Sequence, residues 1–243
     1  MLLALGTIDA APLIEGAILM AKDQIRIHER NKDELGTFQH KDGWGMAYLT
    51  PKKIWTIYKS TLPIYEDPNT PLLKSIHTSA LLIHVRRALT GKICKENTHP
   101  FSATLPSSEE YLFCHNGTIH DTIFFSSEFH PFGTTDTEQL LYSILTDAQK
   151  KPTILASIQD NLARYKDYTG INTIFLTSTQ SIITLKAKIT PQYFSMSYLQ
   201  NAQQLIISSD PLPTIPKAQW KTLTPGRIIH INNASRVLRE YPL

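Results

Sequence analysis

The chain has 243 residues, 42% of them hydrophobic and 19% charged, with a formal net charge of +3. That is enough apolar content for a packed core and too little charge for a disordered chain, and the basic residues are spread out, which argues against a nucleic-acid arm or a polybasic membrane segment. Two cysteines cannot build a disulfide framework or a four-cysteine zinc site, no apolar run reaches the ~18–20 residues of a membrane-spanning helix, and the expected setting is a reducing cytoplasm.

In chain order, "LLAL" reads as a short buried strand ended by Gly6, and residues 11–23 carry a helical stripe of Leu13, Ala17, Leu19, Met20 and Ala21. Asp9 and Glu15 interrupt this opening, and no basic region precedes it, so it does not read as a signal peptide. Residues 24–40 are polar and irregular, a surface loop. "GWGMAYL" (43–49) and "KIWTIYK" (53–59) flank "TPKK" as a hairpin. "PLLKSIHTS" reads as a short helix, "ALLIHV" (80–85) as a buried strand and "EYLFCHN" (110–116) as another, running into a turn at Asn116–Gly117.

"TTDTEQLLYSILTDAQ" has the clearest helix start. Thr135 and Glu138 make a capping box, followed by Leu140, Leu141, Ile144 and Leu145 at helical spacing. "TILASIQDNLARY" is a second helix. From residue 171 the pattern turns to strands: "INTIFLTS", "SIITLKA", "YFSMSYL", "QLIISSD" and "GRIIHI". No repeat, linker or low-complexity tract divides the chain, so one domain over 1–243 is expected. Strands, two helices in a row, then strands again predict two sheets with helices packed outside. No metal-ligand cluster and no glycine-rich phosphate loop is apparent, so neither a metal nor a cofactor is expected.

Taken singly, the polar residues admit plain structural readings. Arg86 in "IHVRRAL" can end a strand in an ion pair. Asp136 in "GTTDTE" suits a helix N-terminus by charge alone. Asn116–Gly117 in "CHNGT" is a common tight-turn pair. Together, "KDGWGMAYL", "IHVRRALTGKICKENTHPF", "YLFCHNGTIHD" and "GTTDTEQLLYSIL", in this order, resemble the class II glutamine amidotransferases, and more narrowly their small stand-alone members. The tail "LIISSDPLP…WKTLTPGRIIHI" resembles the closing strands of that family.

The resemblance implies an α+β fold, a four-layer αββα sandwich of the N-terminal-nucleophile hydrolase type. It implies a small-molecule substrate, glutamine or a γ-glutamyl compound, with a partner protein where the released ammonia needs an acceptor. It makes Arg86 the clamp for the substrate carboxylate, by two parallel N–H donors. Asp136 then binds the α-ammonium, Asn116 and Gly117 form the oxyanion hole, and Thr98–His99 shape the pocket wall. Trp44 of "DGWG" enters the core. His84 reads as packed rather than catalytic, and Arg87, on the other strand face, as structural.

The same resemblance requires a cysteine with a free α-amine at the start of the first strand, and "MLLAL" has none. Cys94 and Cys114 are poor substitutes, and Thr7, after Gly6, would serve only if the first strand were cut away. Two readings stay open. Either the natural start lies a few residues earlier, with a Met-Cys, and the protein is an amidohydrolase; or the nucleophile is lost, and the protein is a glutamine- or γ-glutamyl-binding pseudoenzyme or regulatory subunit. A retained oxyanion hole favours the first.

Overall fold

Strand β1 (Leu2–Asp9) does not stop at Gly6. Gly6 takes φ +115°, and the pairing with the next-door strand shifts register between Leu5 and Ile8, so the strand bulges and runs on. Its last residue, Asp9, caps α1 (Ala10–Ala21) by accepting a 3.0 Å bond from the Ala11 N–H. Strand and helix thus meet without a loop. The computed structural model describes residues 1–25, 38–88, 91–105, 109–216 and 219–243, and most of the loop expected over 24–40 lies outside them.

Two antiparallel sheets form the centre. The first has the order β11 (Lys221–Thr222), β9 (Ser197–Gln200), β10 (Gln204–Ser208), β1, β4 (His77–Val85), β2 (Trp44–Leu49), β3 (Trp55–Ser60). The second runs β13 (Leu238–Pro242), β12 (Arg227–Asn232), β8 (Gln180–Thr184), β7 (Asn172–Leu176), β6 (Glu110–Asn116), β5 (Phe101–Thr104). Strand periodicity sorts the side chains. Along β1, Leu3 and Leu5 enter the core between the sheets, with Leu82, Leu112, Ile174, Ile183 and Ile229. Leu2 and Ala4 face the other way, against Leu13, Ile14, Ala17 and Met20 of α1. Each such large apolar side chain contributes about 1.5–3 kcal/mol on burial.

The outer face of the second sheet carries Phe113, Phe175, Ile182 and Ile228 and packs on α3 (Asp136–Ala148) and α4 (Ile154–Arg164) through Leu140, Leu141, Ile144, Ile158 and Leu162. The layers are therefore helix, sheet, sheet, helix, the four-layer αββα sandwich that the family resemblance implied. Short α2 (Thr70–Leu73) joins the α1 side. Trp44 is fully buried there, with its Nε1–H donating to Asp67 Oδ2 at 2.9 Å.

Local differences from expectation have physical causes. The capping box is half made: Thr135 accepts from the Glu138 N–H, but the Glu138 carboxylate reaches further back, to the N–H groups of Phe132 and Gly133. β4 begins at His77, so the expected helix there is only Thr70–Leu73. Short edge strands β5, β11 and β13 carry too little alternation to be seen in sequence. No described helix is long and apolar enough to cross a membrane.

Candidate active site

Several strands end on one side of the sandwich. The head of β1, the end of β4, the end of β6 and the end of β10 meet the first turn of α3 around a pocket of about 190 Å³. Its lining includes Met1, His84, Arg86, His99, Asn116, Gly117 and Asp136. Residues far apart in sequence are gathered because antiparallel pairing sets Leu2 opposite both Ile83 and Ser208.

Arg86 follows β4 directly and is buried. Its backbone pairs with the Asp42–Gly43 turn (Arg86 N–H to Gly43 O, 2.8 Å; Asp42 N–H to Arg86 O, 3.1 Å). Its guanidinium donates long bonds to the carbonyls of Asp42 (3.3 Å) and Lys92 (3.4 Å). Burial pulls its pKa down, and the Asp42 charge opposes that pull. Asp136 opens α3, where the helix dipole favours a carboxylate. One oxygen accepts the Ile119 N–H at 2.9 Å, and His115 Nδ1 stands 3.9 Å away. Helix start and pocket wall are thus the same residue.

The Asn116–Gly117 turn is fixed by close approach. Gly117 has φ +130°, and a Cβ there would lie 1.8 Å from the Gly170 carbonyl oxygen. Only glycine fits. That same carbonyl accepts from His115 Nε2 at 3.1 Å, while His115 Nδ1 meets Thr137 Oγ1 at 3.1 Å. Asn116 Oδ1 lies 3.1 Å from His84 Nε2. His84 and His99 are stacked, centroids 3.9 Å apart, and His99 meets Phe101 edge-on. Burial holds both imidazoles well below their ordinary range.

Not every expected residue reaches the pocket. Thr98 is fully buried behind the wall, where its hydroxyl donates to the Cys94 carbonyl at 2.8 Å. His84, expected only to pack, both lines the pocket and bonds Asn116. Arg87 is not confined to the far face: it lines the mouth, its guanidinium 3.8 Å over the Phe38 ring. His115 was legible in principle, since strand alternation turns it away from Cys114 and Asn116 and towards the helices. Tyr193 and Phe194 also line the pocket, and only tertiary packing brings them there.

The head of β1 is different in kind. Met1 is buried; its α-amine donates to Ser209 Oγ at 3.3 Å, and its carbonyl accepts the Ser209 N–H at 3.0 Å. Burial lowers the pKa of this amine to about 6. Cys114 lies deep in the inter-sheet core, with its thiol pushed up to about 12 by burial. Cys94 and Thr7 do not line the pocket.

An αββα sandwich with a polar pocket at the head of its first strand is the architecture of an amidotransferase-type N-terminal-nucleophile hydrolase. Residues 28–174 match the family model of the class-II glutamine amidotransferases, and the chain belongs to that family. It is 31% identical over 141 residues to Escherichia coli (strain K12) YafJ, assigned by name to the glutamine amidotransferases; the match covers 54% of either chain. Among solved structures it resembles the glutamine phosphoribosylpyrophosphate amidotransferase of B. subtilis (TM-score 0.67, 18% identity, 99% of this chain and 48% of that one). It also resembles a class-II domain protein of Silicibacter pomeroyi (TM-score 0.64, 19% identity, 100% and 98%). The chain spans about half the length of YafJ and of the B. subtilis enzyme.

Proposed function

We propose that the pocket binds glutamine or a γ-glutamyl compound and is built to hydrolyse its side-chain amide. The observation that carries this reading is the convergence of a buried cation, Arg86, an anion, Asp136, and the Asn116–Gly117 turn on one small pocket. Arg86 takes the α-carboxylate, Asp136 the α-ammonium, and the Asn116 amide with the Gly117 N–H the carbonyl oxygen. His99 walls the pocket as a neutral ring. Any acceptor of the released ammonia is, on this reading, carried by a partner protein in the cytoplasm.

The chemistry needs a thiol at the head of β1. A cysteine there attacks the amide carbon; its own α-amine takes the thiol proton and passes it to the departing nitrogen. A C–S bond forms, the C–N bond breaks, ammonia leaves, and water then cleaves the thioester. An α-amine with a pKa near 6 is mostly free base at neutral pH, as that role requires. Met1 offers a thioether, which cannot do this. The second reading is binding without turnover, and it turns on which residue stands at the head of β1.

The two readings part in one experiment. The chain is compared with a Met1→Cys variant produced behind a cleavable initiator methionine. We expect both to bind L-glutamine by calorimetry, and only the variant to release ammonia and to take up one equivalent of a glutamine-mimicking diazo ketone. Absence of glutamine binding to either chain would sink the proposal.

A further inference from the structure

Asn116 can serve a developing oxyanion only if its amide is turned the right way round. The group is planar, with an acceptor, Oδ1, on one side and a donor, Nδ2, on the other. Nδ2 towards the ligand stabilises negative charge; Oδ1 there repels it. His84 makes the choice. Its Nε2 lies 3.1 Å from Asn116 Oδ1. A carbonyl oxygen only accepts, so Nε2 must carry the proton. A bare Nε2 would accept instead, drawing Nδ2 towards itself and presenting Oδ1 to the ligand.

We propose that His84 is a positioning residue: its Nε2–H holds Asn116 with Nδ2 facing the ligand carbonyl, and His99 holds His84 in turn. The proposal rests on the reading of the pocket as an amide-binding site. The second link is the ring stack, 3.9 Å between centroids at an interplanar angle of 21°, with Phe101 edge-on behind it. Neither nitrogen of His99 has a hydrogen-bond partner among the described residues, so it acts by packing. The groups facing this pair are the Met1 α-amine and His40 on the His84 side, and His115, Lys59 and Arg86 on the His99 side. Burial holds both rings well below the ordinary imidazole range.

Two measurements test this. In the chain as it stands, long-range 1H–15N NMR near pH 7.5 is expected to show the Nε2–H tautomer at His84. The Nδ1–H tautomer overturns the proposal whatever the pocket binds. In chains carrying Met1→Cys, His84→Phe keeps the ring stack and removes the donor, whereas His84→Gln supplies an N–H near the Nε2 position. For L-glutamine, His84→Phe is expected to lower kcat about 10- to 100-fold while KM moves less than about threefold, and His84→Gln to restore most of the loss. Equal loss in both variants, or a change in KM alone, overturns the proposal. If the Met1→Cys chain turns over no glutamine, the proposed function has failed; the tautomer and the displacement of the Asn116 side-chain amide resonances by His84→Phe still decide the positioning.

Discussion

The two faces of the pocket are made in different ways. On one face, the polar groups expected to meet a ligand are each tied to a neighbour. Asn116 meets His84, and His115 ties the Gly170 carbonyl to Thr137. Asp136 accepts the Ile119 N–H, and Arg86 is anchored through its backbone to the Asp42–Gly43 turn. On the other face, the head of β1, Met1 packs its side chain with the inter-sheet core and offers only an α-amine to the pocket. Ligand-gripping groups must be preorganised by neighbours, because a buried charge or amide that can turn loses its directional value. A nucleophile needs one residue type at one position. Binding and reacting are thus separable, and substitutions can attack one without the other.

The largest expected effect falls on the face proposed to grip the ligand. Arg86→Ala removes the buried cation from the pocket, and a carboxylate ligand then enters with its charge uncompensated. We expect a loss of L-glutamine affinity of about 100-fold, roughly 3 kcal/mol, by calorimetry. Arg86→Lys should recover only part, because an ammonium cannot make two parallel bonds. Equal affinity in the Ala variant and the unmodified chain would mean that the carboxylate is bound elsewhere.

Gly117→Ala comes next. Its Cβ would press on the Gly170 carbonyl at 1.8 Å from a backbone with φ +130°. Either the turn moves or the strand pair β6–β7 shifts, at a cost of about 2–3 kcal/mol in urea unfolding. Ligand affinity should fall too if, as proposed, the turn supplies both donors to the carbonyl oxygen. A variant of unchanged stability would show that this turn is looser than the structure has it.

How much of this comparison the sequence carried depends on the range of the forces involved. Long alternating or helical runs, such as "EYLFCHN" and "TTDTEQLLYSIL", fix their own structure, and both appear with their expected limits or nearly so. Gly6 misled, because a glycine that ends a strand and one that bulges it look alike locally. The likeness of four ordered motifs to a known family pointed to Arg86, Asn116, Gly117 and Asp136, and these four do meet at one pocket. The ties between them were not legible. The His84–Asn116 bond joins residues 32 apart, and the His115–Gly170 bond residues 55 apart. Nothing in "IHVRR" or "CHNG" says which strand end the other will face. Thr98 fell on the wrong side of its wall for the same reason: a loop of "ENTHPF" type does not reveal which hydroxyl its own carbonyls will claim.

A pH titration sharpens the comparison with a smaller effect. His84 and His99 sit well below the ordinary imidazole value of about 6.5. As pH falls through 6.5, the unfolded chain binds protons at these sites and the folded chain does not. Stability therefore rises with pH up to about 6.5 and is lost progressively below it. We expect the urea midpoint to fall between about pH 7 and pH 5, and His99→Phe, which keeps the stack, to flatten part of that fall. The same slope in both chains would assign the loss to other groups.

The smallest expected effect concerns the one thiol close to the reacting face. Cys114 lies on the same strand face as Asn116, so by position alone it invites a catalytic reading. Its surroundings contradict that. It is fully buried among Leu112, Ile174 and Ile183, with its pKa pushed up to about 12. At neutral pH almost no thiolate exists, and no ligand fits between the sheets to meet one. Cys114→Ala should therefore leave glutamine affinity unchanged in the chain, leave kcat unchanged in the Met1→Cys variant, and lower stability by about 1 kcal/mol through the small cavity it opens. A Met1→Cys chain that lost its turnover with Cys114→Ala would join the two faces again, placing a reacting group in the core where only packing is expected.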